Sequence, residues 1–461
     1  MSFLGSTLLL ISAGYSLVLL LRISQKHIVA DIALGWFLGS GYFALVSFFV
    51  AYILHIRLCL LSSLGTILLP GGILLLRFQT FKTAIKESII ATMATPYFPK
   101  TKRLVYLLLF SMVLAVLVLV FLHGKNTPTN TDDAVRLRAF TPMLVYENNL
   151  TGKTTPLILN NGIFPSFVPI LSWQLARRIE HFQFNYFILI NFLFFLTAIY
   201  LFPAIRQKPQ QGILNLFLVL SIPLFVYHAT TTYVDTLYVI PFSLSFLIMT
   251  FYFQERSSRD FRIFLLLMTI TCFSKSEGEI TGITALCVML TYLITKRYRR
   301  ESNLPLKKEW LLIIPFVLYL IIRNFVSPNQ LISLLLVKGD LSAANQAITG
   351  SSPPNRAKAL TIFWESLFSS GNFGVLFYVL SFNVAYYLRS ICQSPFVWPL
   401  VALVLLFLEI FYNAIFLTPQ FTIDKTTIHR SLMILAVSSA LFLASTWERY
   451  GFSQPKSPRR R

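Results

Sequence analysis

The sequence predicts an all-α membrane protein with about thirteen transmembrane helices and two long external loops. Hydrophobic residues make up 56% of its 461 positions, charged residues make up only 12%, and the mean hydropathy is +0.68. A soluble protein could not bury that much apolar surface, so much of it must face lipid. The 43 Phe and 20 Tyr residues are typical of helices with aromatic side chains at both membrane interfaces.

The predicted spans are apolar runs bounded by charged or turn-forming residues, and a full crossing needs about 20 apolar residues. Residues 1–21 lack a basic N-terminal region, which favours a retained span over a signal peptide. Two of the runs are short and flank a polar stretch, so they also fit a hairpin that enters and leaves on one side. The predicted spans are 4–21, 32–54, 58–76, 104–123, 185–203, 212–228, 236–253, 262–274, 279–295, 310–326, 372–388, 396–417 and 429–447.

The distribution of basic residues orients these spans. Most of the 39 Lys and Arg residues fall in short loops on the side opposite the loop that contains Asp132. Cytoplasmic loops are enriched in Lys and Arg, so the Asp132 loop is predicted to be external and the C-terminus cytoplasmic. The same distribution argues against nucleic-acid binding, despite a formal net charge of +21, because the basic residues follow the membrane topology.

The predicted organisation has five parts, and two of its loops are long enough to be functional. Trp173, Arg177 and Arg178 in the first of these loops predict an amphipathic helix over 170–184 that lies on the membrane surface. The second loop is rich in Gly, Ser and Pro and is predicted to be mobile. The parts are an N-terminal extension (1–103), a core (104–326) that includes external loop 124–184, the mobile external loop (327–371), the C-terminal spans (372–447) and a basic tail (448–461).

Four polar clusters lie on the predicted external face, each next to the end of a span. Ionisable side chains at span ends are costly unless solvated or paired, and they are often functional. The clusters are Asp132-Asp133 with Arg136 and Arg138, residues 228–235 with Tyr233 and Asp235, residues 274–279 with Lys275 and Glu277, and residues 424–430 with His429 and Arg430.

Each of these residues also has a structural interpretation. The acid pair fits a solvated turn or a helix cap, Asp235 fits a helix cap, and Lys275 fits a local ion pair with Glu277. His429-Arg430 and Arg323 fit side chains that extend to the membrane interface. Glu409, alone within the twelfth span, is expected to be a buried group bonded to its neighbours.

The chemistry of the clusters favours transfer from a phosphate leaving group. The sequence contains no nucleophile elbow, phosphate-binding loop or zinc signature. A carboxylate can accept the proton of an attacking hydroxyl, while Arg and Lys neutralise a departing phosphate. No metal site is predicted.

Residues 104–447 resemble the GT-C superfamily of polytopic glycosyltransferases, which includes the protein O-mannosyltransferases and the lipid A aminoarabinose transferases. The resemblance rests on Asp132-Asp133-Ala134 in the first external loop, on Lys275-Ser276-Glu277-Gly278 at the start of a later span, on His429-Arg430, and on the position of loop 327–371. The chain departs from the family in its three N-terminal spans, in Asp133 where the mannosyltransferases have Glu, and in lacking a large C-terminal soluble domain.

The resemblance implies a role for each residue of the clusters. Asp132 would be the general base, and Asp133 would orient it, bind a sugar hydroxyl or assist a metal, with the reverse assignment left open. Some relatives need a divalent cation and others do not, and nothing in this sequence requires a cofactor. The residues implied to hold the carrier phosphate are Lys275, Arg430, His429 and Arg323. The residues implied to contact substrate are Arg136, Arg138, Tyr233, Asp235 and Glu277.

The implied function is inverting transfer of a sugar from a polyprenyl-phosphate carrier to a glycan, lipid or protein acceptor. The implied location is the bacterial inner membrane, with the site facing the periplasm or exterior. Two alternatives remain open at the level of sequence. A lipid-linked glycan polymerase or ligase would share the loops but rely less on paired acids. A transporter or flippase of lipid-linked sugars is expected to carry broken helices or charges deep within the membrane.

Overall fold

A computed structural model describes residues 2–76, 78–97, 103–126, 140–148, 150, 154–179, 182–230, 235–298, 309–326, 355–369, 371–417, 419–423 and 428–451. All regular secondary structure in these residues is helical, which confirms the predicted all-α class. The first cluster, with Asp132, Asp133, Arg136 and Arg138, lies outside the described residues, and so do Tyr233 and the basic tail beyond Gly451.

The N-terminal extension, the first core span and the first long loop together contain eight α-helices in the described residues. The second of them continues as a π-helix over Phe49–Ile53. The helices are α1 (Ser2–Leu20), α2 (Ile28–Phe48), α3 (Leu60–Leu75), α4 (Phe78–Ala94), α5 (Arg103–Asn126), α6 (Phe140–Tyr146), α7 (Thr154–Asn161) and α8 (Ile163–Ala176).

The rest of the described chain continues in the same way, with short breaks between helices. A 3-10 helix over Glu309–Ile313 leads into α15, and π-helices over Asn413–Leu417 and Trp447–Gly451 extend α18 and α20. The helices are α9 (Phe182–Ile205), α10 (Pro209–Leu220), α11 (Pro223–Ala229), α12 (Asp235–Glu255), α13 (Ser258–Ser274), α14 (Ser276–Tyr298), α15 (Ile314–Val326), α16 (Arg356–Phe368), α17 (Leu376–Cys392), α18 (Val397–Tyr412), α19 (Pro419–Ile423) and α20 (Ile428–Thr446).

Seven helices in the described residues are long and apolar enough to cross a membrane, and the bent pair α10–α11 makes an eighth if it forms one span. The bend between α10 and α11 is 84°. The described residues also contain five shorter apolar helical segments of 10–17 residues, and one of these, α8, was not predicted as a span. The chain is therefore consistent with a multi-pass membrane protein, while these helices do not establish the predicted count of thirteen.

Helices α1 and α2 pack closely because glycines line their crossing. A Cβ atom on Gly14 would overlap the carbonyl oxygen of Gly35, and one on Gly39 would overlap the carbonyl oxygen of Leu10. Small residues allow helix backbones to approach closely within a membrane, where apolar burial alone gives little drive for association. This contact places α2 at the centre of the N-terminal extension, against α1, α3, α8 and α9.

Helix α8 corrects the prediction of a surface helix over 170–184. The helix ends at Ala176, where Arg177 adopts a left-handed conformation with φ 54°, and every residue from Ile163 to Gln174 is buried. Trp173 is 0% exposed, because α8 packs against α1, α2, α6 and α13. A helix that is apolar around most of its circumference is stable when protein covers all of its faces.

The N-terminal extension is joined to the first long loop by Asn148, which follows α6 in a left-handed conformation. The side-chain oxygen of Asn148 accepts a hydrogen bond of 2.6 Å from the backbone N–H of Leu58, and its Nδ2 donates to the Leu58 carbonyl at 3.2 Å. The amide group therefore satisfies both backbone groups of one residue in the segment before α3.

Ion pairs join several helix ends at one end of the bundle. Arg206, which follows α9, lies 2.6 Å from Asp260 and 3.3 Å from Glu255. Arg262 lies 2.9 Å from Glu309, which precedes α15. These are loops predicted to share the cytoplasmic side, and the structure brings them together. The start of α12 and the end of α13 consequently lie at the other end of the bundle.

Candidate functional site

Lys275 occupies the break between α13 and α14. Its backbone is extended, with φ −166° and ψ 156°, and the N–H of Gly278 donates a 3.0 Å hydrogen bond to its carbonyl oxygen. A Cβ atom on Gly278 would overlap the carbonyl oxygen of Thr271, so a larger residue could not be accommodated without moving the two helices apart. The segment from Lys275 to Gly278 therefore forms a tight turn that presents the lysine between two helix ends.

The first long loop packs against this turn at Gly162. This glycine separates α7 from α8 and has φ 91°, a conformation that strongly favours glycine. A Cβ atom on Gly162 would overlap the carbonyl oxygen of Ser274 and lie 3.0 Å from the backbone nitrogen of Lys275. The described part of the loop that carries Asp132 and Asp133 thus reaches the backbone of the Lys275 turn.

Asp235 lies at the centre of a charged cluster. The Lys275 Nζ is 2.8 Å from Asp235 Oδ1, and Arg430 Nη1 and His228 Nδ1 are 3.7 Å and 3.8 Å from Asp235 Oδ2. The Asp235 side chain is 0% exposed, whereas Lys275 retains 16% exposure. Three of the four predicted clusters, on α11–α12, α13–α14 and α20, therefore meet at one carboxylate.

Glu277 adds a second carboxylate beside Lys275. Its Oε1 lies 2.8 Å from the Lys275 Nζ, and its Oε2 accepts a 3.0 Å hydrogen bond from Ser276. The Glu277 side chain is 34% exposed, so it forms the most accessible part of the cluster. Lys275 and Arg430 are thus nearly balanced by Asp235 and Glu277. An incoming phosphate would have to draw at least one cation away from its carboxylate partner.

His429 and Arg430 point to different neighbours at the start of α20. His429 Nδ1 lies 3.0 Å from Asn372 Nδ2, in the segment between α16 and α17. The Asn372 carbonyl also accepts a 3.2 Å hydrogen bond from the N–H of Leu224 in α11. The structure consequently places Arg430 in the charged cluster and places His429 beside it, against the chain that follows the second long loop.

Arg323 lies in a separate buried ion pair. Its Nε donates a 2.9 Å hydrogen bond to Glu279 Oε1, and the two side chains are only 1% and 0% exposed. Glu279 lies on α14, four residues beyond Lys275, so the two ion pairs are separated by about one helical turn. The guanidinium of Arg323 is buried among protein atoms and does not extend to the membrane interface.

A cavity of about 130 Å³ opens beneath the charged cluster, between α12, α14, α18 and α20. Glu277 lines its rim, and Glu409 from α18 lines its wall. Thr281 and Thr284 donate hydrogen bonds of 2.9 Å and 3.1 Å to the two carboxylate oxygens of Glu409. Glu409 is therefore bonded to its neighbours, as predicted, but sequence reasoning missed both threonines.

An apolar groove of about 430 Å³ lies on another side of α18. Trp364 and Phe368 from α16 line it, together with Phe377 from α17, Phe407 from α18 and Leu435 from α20. Leu435 is five residues from Arg430 on one helix, a rise of about 7.5 Å. The groove and the charged cluster therefore both include side chains of α20, about one and a half turns apart along the helix.

No family model, curated protein or solved structure matches the chain. In the parts of the chain that the structure describes, no group of three His, Cys, Asp or Glu side chains is arranged to hold a metal ion. A function must therefore be argued from the geometry of the site itself.

Proposed function

We propose that the chain is an inverting glycosyltransferase of the GT-C type, with the thirteen spans expected from its sequence. It moves a sugar from a polyprenyl-phosphate carrier to a glycan, lipid or protein acceptor at the surface of a membrane. The observation that carries this proposal is the meeting of Lys275 and Arg430, from separate helices, at Asp235. Two cations at the end of an apolar helix bundle suit the phosphate of a lipid carrier.

The cations act on the leaving group. The Lys275 Nζ lies 2.8 Å from both Asp235 and Glu277. When a phosphate oxygen replaces the more exposed Glu277, the ammonium donates to the phosphate the hydrogen bond that it donated to Glu277. Arg430 lies 3.7 Å from Asp235 and adds a second positive charge. Positive charge placed where the leaving phosphate gains negative charge lowers the barrier to its departure.

The reaction is a direct displacement. The acceptor hydroxyl oxygen forms a bond with the anomeric carbon, and the bond from that carbon to the phosphate oxygen breaks. The polyprenyl phosphate leaves with the electron pair, and Asp132 takes the hydroxyl proton. Asp133 orients the acceptor or a sugar hydroxyl. The support for placing this loop at the site is the packing of Gly162 against Ser274, which brings the later part of the same loop to the Lys275 turn.

The groove beside α18 supports a lipid-linked donor. Its volume of about 430 Å³ and its Phe, Leu and Val lining suit a length of isoprenoid chain and offer little to a polar ligand. A chain lying in this groove would contact α20 at Leu435, and the first turn of the same helix carries Arg430. The positive-inside distribution of Lys and Arg supports a site on the external face, such as the periplasmic face of a bacterial inner membrane.

A transporter of lipid-linked sugars is the second candidate, and two specific features favour it. The α10–α11 pair is broken by an 84° bend, and Glu409 places a carboxyl within a candidate span. Broken helices and deep charges are common in transporters. Movement of a fluorescent lipid-linked sugar across proteoliposomes without sugar transfer would favour this candidate.

The deciding experiment supplies purified protein in lipid nanodiscs with an envelope extract as acceptor and a panel of radiolabelled donors. The panel contains polyprenyl-phosphate sugars and oligosaccharide-diphosphate lipids. We expect transfer of one sugar with release of polyprenyl phosphate. Asp132→Asn should abolish turnover, and Lys275→Gln should lower it about 10²-fold or more. Glu147→Gln and Lys82→Gln, at exposed positions, serve as matched controls and should retain activity.

Two results would overturn the proposal or part of it. Absence of transfer with every donor would reject the function, and full turnover by Asp132→Asn would reject Asp132 as the base. Transfer only from oligosaccharide-diphosphate lipids would instead indicate a polymerase or ligase.

A further inference from the structure

Glu409 is an acidic residue within the candidate span Val397–Leu417, where a charge is costly without a compensating cation. Each of its carboxylate oxygens accepts one threonine hydrogen bond, from Thr281 and Thr284 on α14. Among the described residues, Lys, Arg and His all lie beyond ion-pair distance from Glu409. The two hydroxyls orient the carboxyl group but supply no positive charge.

The cavity that Glu409 lines has the wrong chemistry for an anion. Its described polar lining includes a second carboxylate, Glu277, with Tyr238, Asn413 and Ser431, and it contains no basic side chain. Lys275 is held on the rim by Asp235 and Glu277 and does not line the cavity. The site is thus separate from the cation pair assigned above to a phosphate.

The size of the cavity narrows the class of ligand. About 130 Å³ corresponds to roughly four water molecules, or to a group of four or five non-hydrogen atoms. A bare metal ion would leave most of that volume to water, and the described residues contain no metal-binding group of three His, Cys, Asp or Glu side chains. Ile280, Ile410 and Ile434 supply aliphatic walls that suit carbon atoms.

We propose that this cavity binds the protonated amine of a small amino alcohol, the size of ethanolamine, with its ammonium group on the Glu409 carboxylate. An ammonium has three N–H donors and forms short, charge-assisted hydrogen bonds with carboxylates. An ammonium–carboxylate contact of this kind already exists at the rim of the cavity, where the Lys275 Nζ lies 2.8 Å from Glu277 Oε1. This site goes beyond the proposed sugar transfer, because the amine binds whether or not transfer occurs.

Equilibrium dialysis of radiolabelled ethanolamine against the protein in phosphatidylcholine nanodiscs tests the proposal. We expect saturable binding of one ethanolamine per chain. Ethylene glycol has the same number of non-hydrogen atoms without the charge, and it should not compete. Sodium chloride should compete no better than potassium chloride at equal concentration. Absence of binding, competition by ethylene glycol, or displacement specific to sodium would each overturn the proposal.

Two variants locate the binding. Glu409→Gln keeps the shape of the side chain and removes its charge, so the affinity for ethanolamine should fall about tenfold or more. Glu147→Gln, at an exposed position, is the matched control and should bind as the parent protein does. Ser431→Leu narrows the cavity while leaving Glu409 in place, and it should also weaken binding. Unchanged binding by both cavity variants, with parental thermal stability, would contradict the assignment.

A final comparison identifies the source of the amine. Replacing part of the phosphatidylcholine with phosphatidylethanolamine should displace ethanolamine if the amine belongs to a lipid headgroup. Unchanged binding would assign the site to a free amine. Either result supports an ammonium site, and failure of sugar transfer in the earlier experiment leaves this measurement unaffected.

Discussion

The Lys275 ammonium lies 2.8 Å from the Asp235 carboxylate, and this ion pair joins the end of α13 to the start of α12. Asp235 is 0% exposed and also faces Arg430 and His228, so its charge depends on these neighbours for compensation. Glu277, at 34% exposure, keeps access to water. Two carboxylates on the same lysine thus differ in burial, and we propose that only the more exposed one, Glu277, is exchanged for a phosphate.

Replacing Lys275 should therefore destabilise the fold through Asp235. We expect Lys275→Gln to lower the free energy of unfolding by roughly 3 kcal/mol, because it leaves a buried carboxylate without its closest cation. Asp235→Asn in the same chain should restore part of the loss. Glu277→Gln should lower the free energy of unfolding less than Lys275→Gln does. Thermal unfolding in nanodiscs measures all four proteins, and equal losses for Glu277→Gln and Lys275→Gln would contradict this division of roles.

The contact between Gly162 and Ser274 predicts a specific effect on the Lys275 turn. Gly162→Ala should reduce thermal stability and sugar transfer, because the new Cβ overlaps the Ser274 carbonyl oxygen and displaces α8 or the turn. Gly371→Ala is the control for a positive φ without a close contact, since Gly371 has φ 69° and open space around a Cβ. The control should show only the backbone strain of about 1 kcal/mol expected for a left-handed alanine. Equal behaviour of the two variants would show that the contact is not important.

The close crossing of α1 and α2 at their glycines predicts that a large side chain is tolerated in α3 but not in the crossing. Gly39→Leu should strongly destabilise the N-terminal extension, because its side chain would occupy the position of the Leu10 backbone. Gly65→Leu in α3 meets no atom within 4 Å of its Cβ and should be tolerated. Protease sensitivity of the extension in nanodiscs distinguishes the two. Resistance of Gly39→Leu equal to that of the parent would count against the observed helix contact.

His27 predicts a dependence of stability on pH. Its Nδ1 accepts a 3.3 Å hydrogen bond from the Ala30 N–H at the start of α2, and burial lowers the pKa of its imidazole below the ordinary value of 6.5. The unfolded chain therefore binds the proton more readily, so this stabilisation is complete above pH 6.5 and is lost as the pH falls. Protonation also removes the acceptor that caps the helix.

Protonation of His27 should lower the free energy of unfolding by about 1 kcal/mol, the usual contribution of a helix cap. His27→Asn keeps a capping oxygen that does not titrate. Its unfolding temperature should fall less than that of the parent protein between pH 7.5 and pH 5.5. A parallel fall in both proteins would show that other groups cause the dependence.

The sequence predicted much of the fold because long apolar runs specify membrane helices directly. It also predicted that Asp235, Lys275 and Arg430 would share one end of the bundle, since the alternation of spans determines which loops meet. It could not predict the pairing of Arg323 with Glu279 or of Thr281 with Glu409. These partners are 44 and 128 residues apart, and only helix packing brings them together.

The error at α8 has a different physical cause. Trp173 with Arg177 and Arg178 gives a pattern that fits a helix on a lipid surface and a helix covered by protein equally well. The periodicity of apolar residues indicates which residues are shielded from water. It does not show whether lipid or protein shields them. Here the partner is protein on several sides, because α1, α2 and α13 enclose the helix.

The proposed transfer requires that Asp132, the Lys275 turn and the start of α20 share one aqueous face of the membrane. Single cysteines at positions 132, 276 and 429, in a chain with Cys59, Cys287 and Cys392 replaced by serine, can be labelled with an impermeant reagent in sealed vesicles. The buried Cys272 can remain. We expect all three positions to react from the same side and a cysteine at position 256 to react from the opposite side. Labelling of positions 132 and 276 from opposite sides would contradict the account, because the proposed base could not reach the sugar.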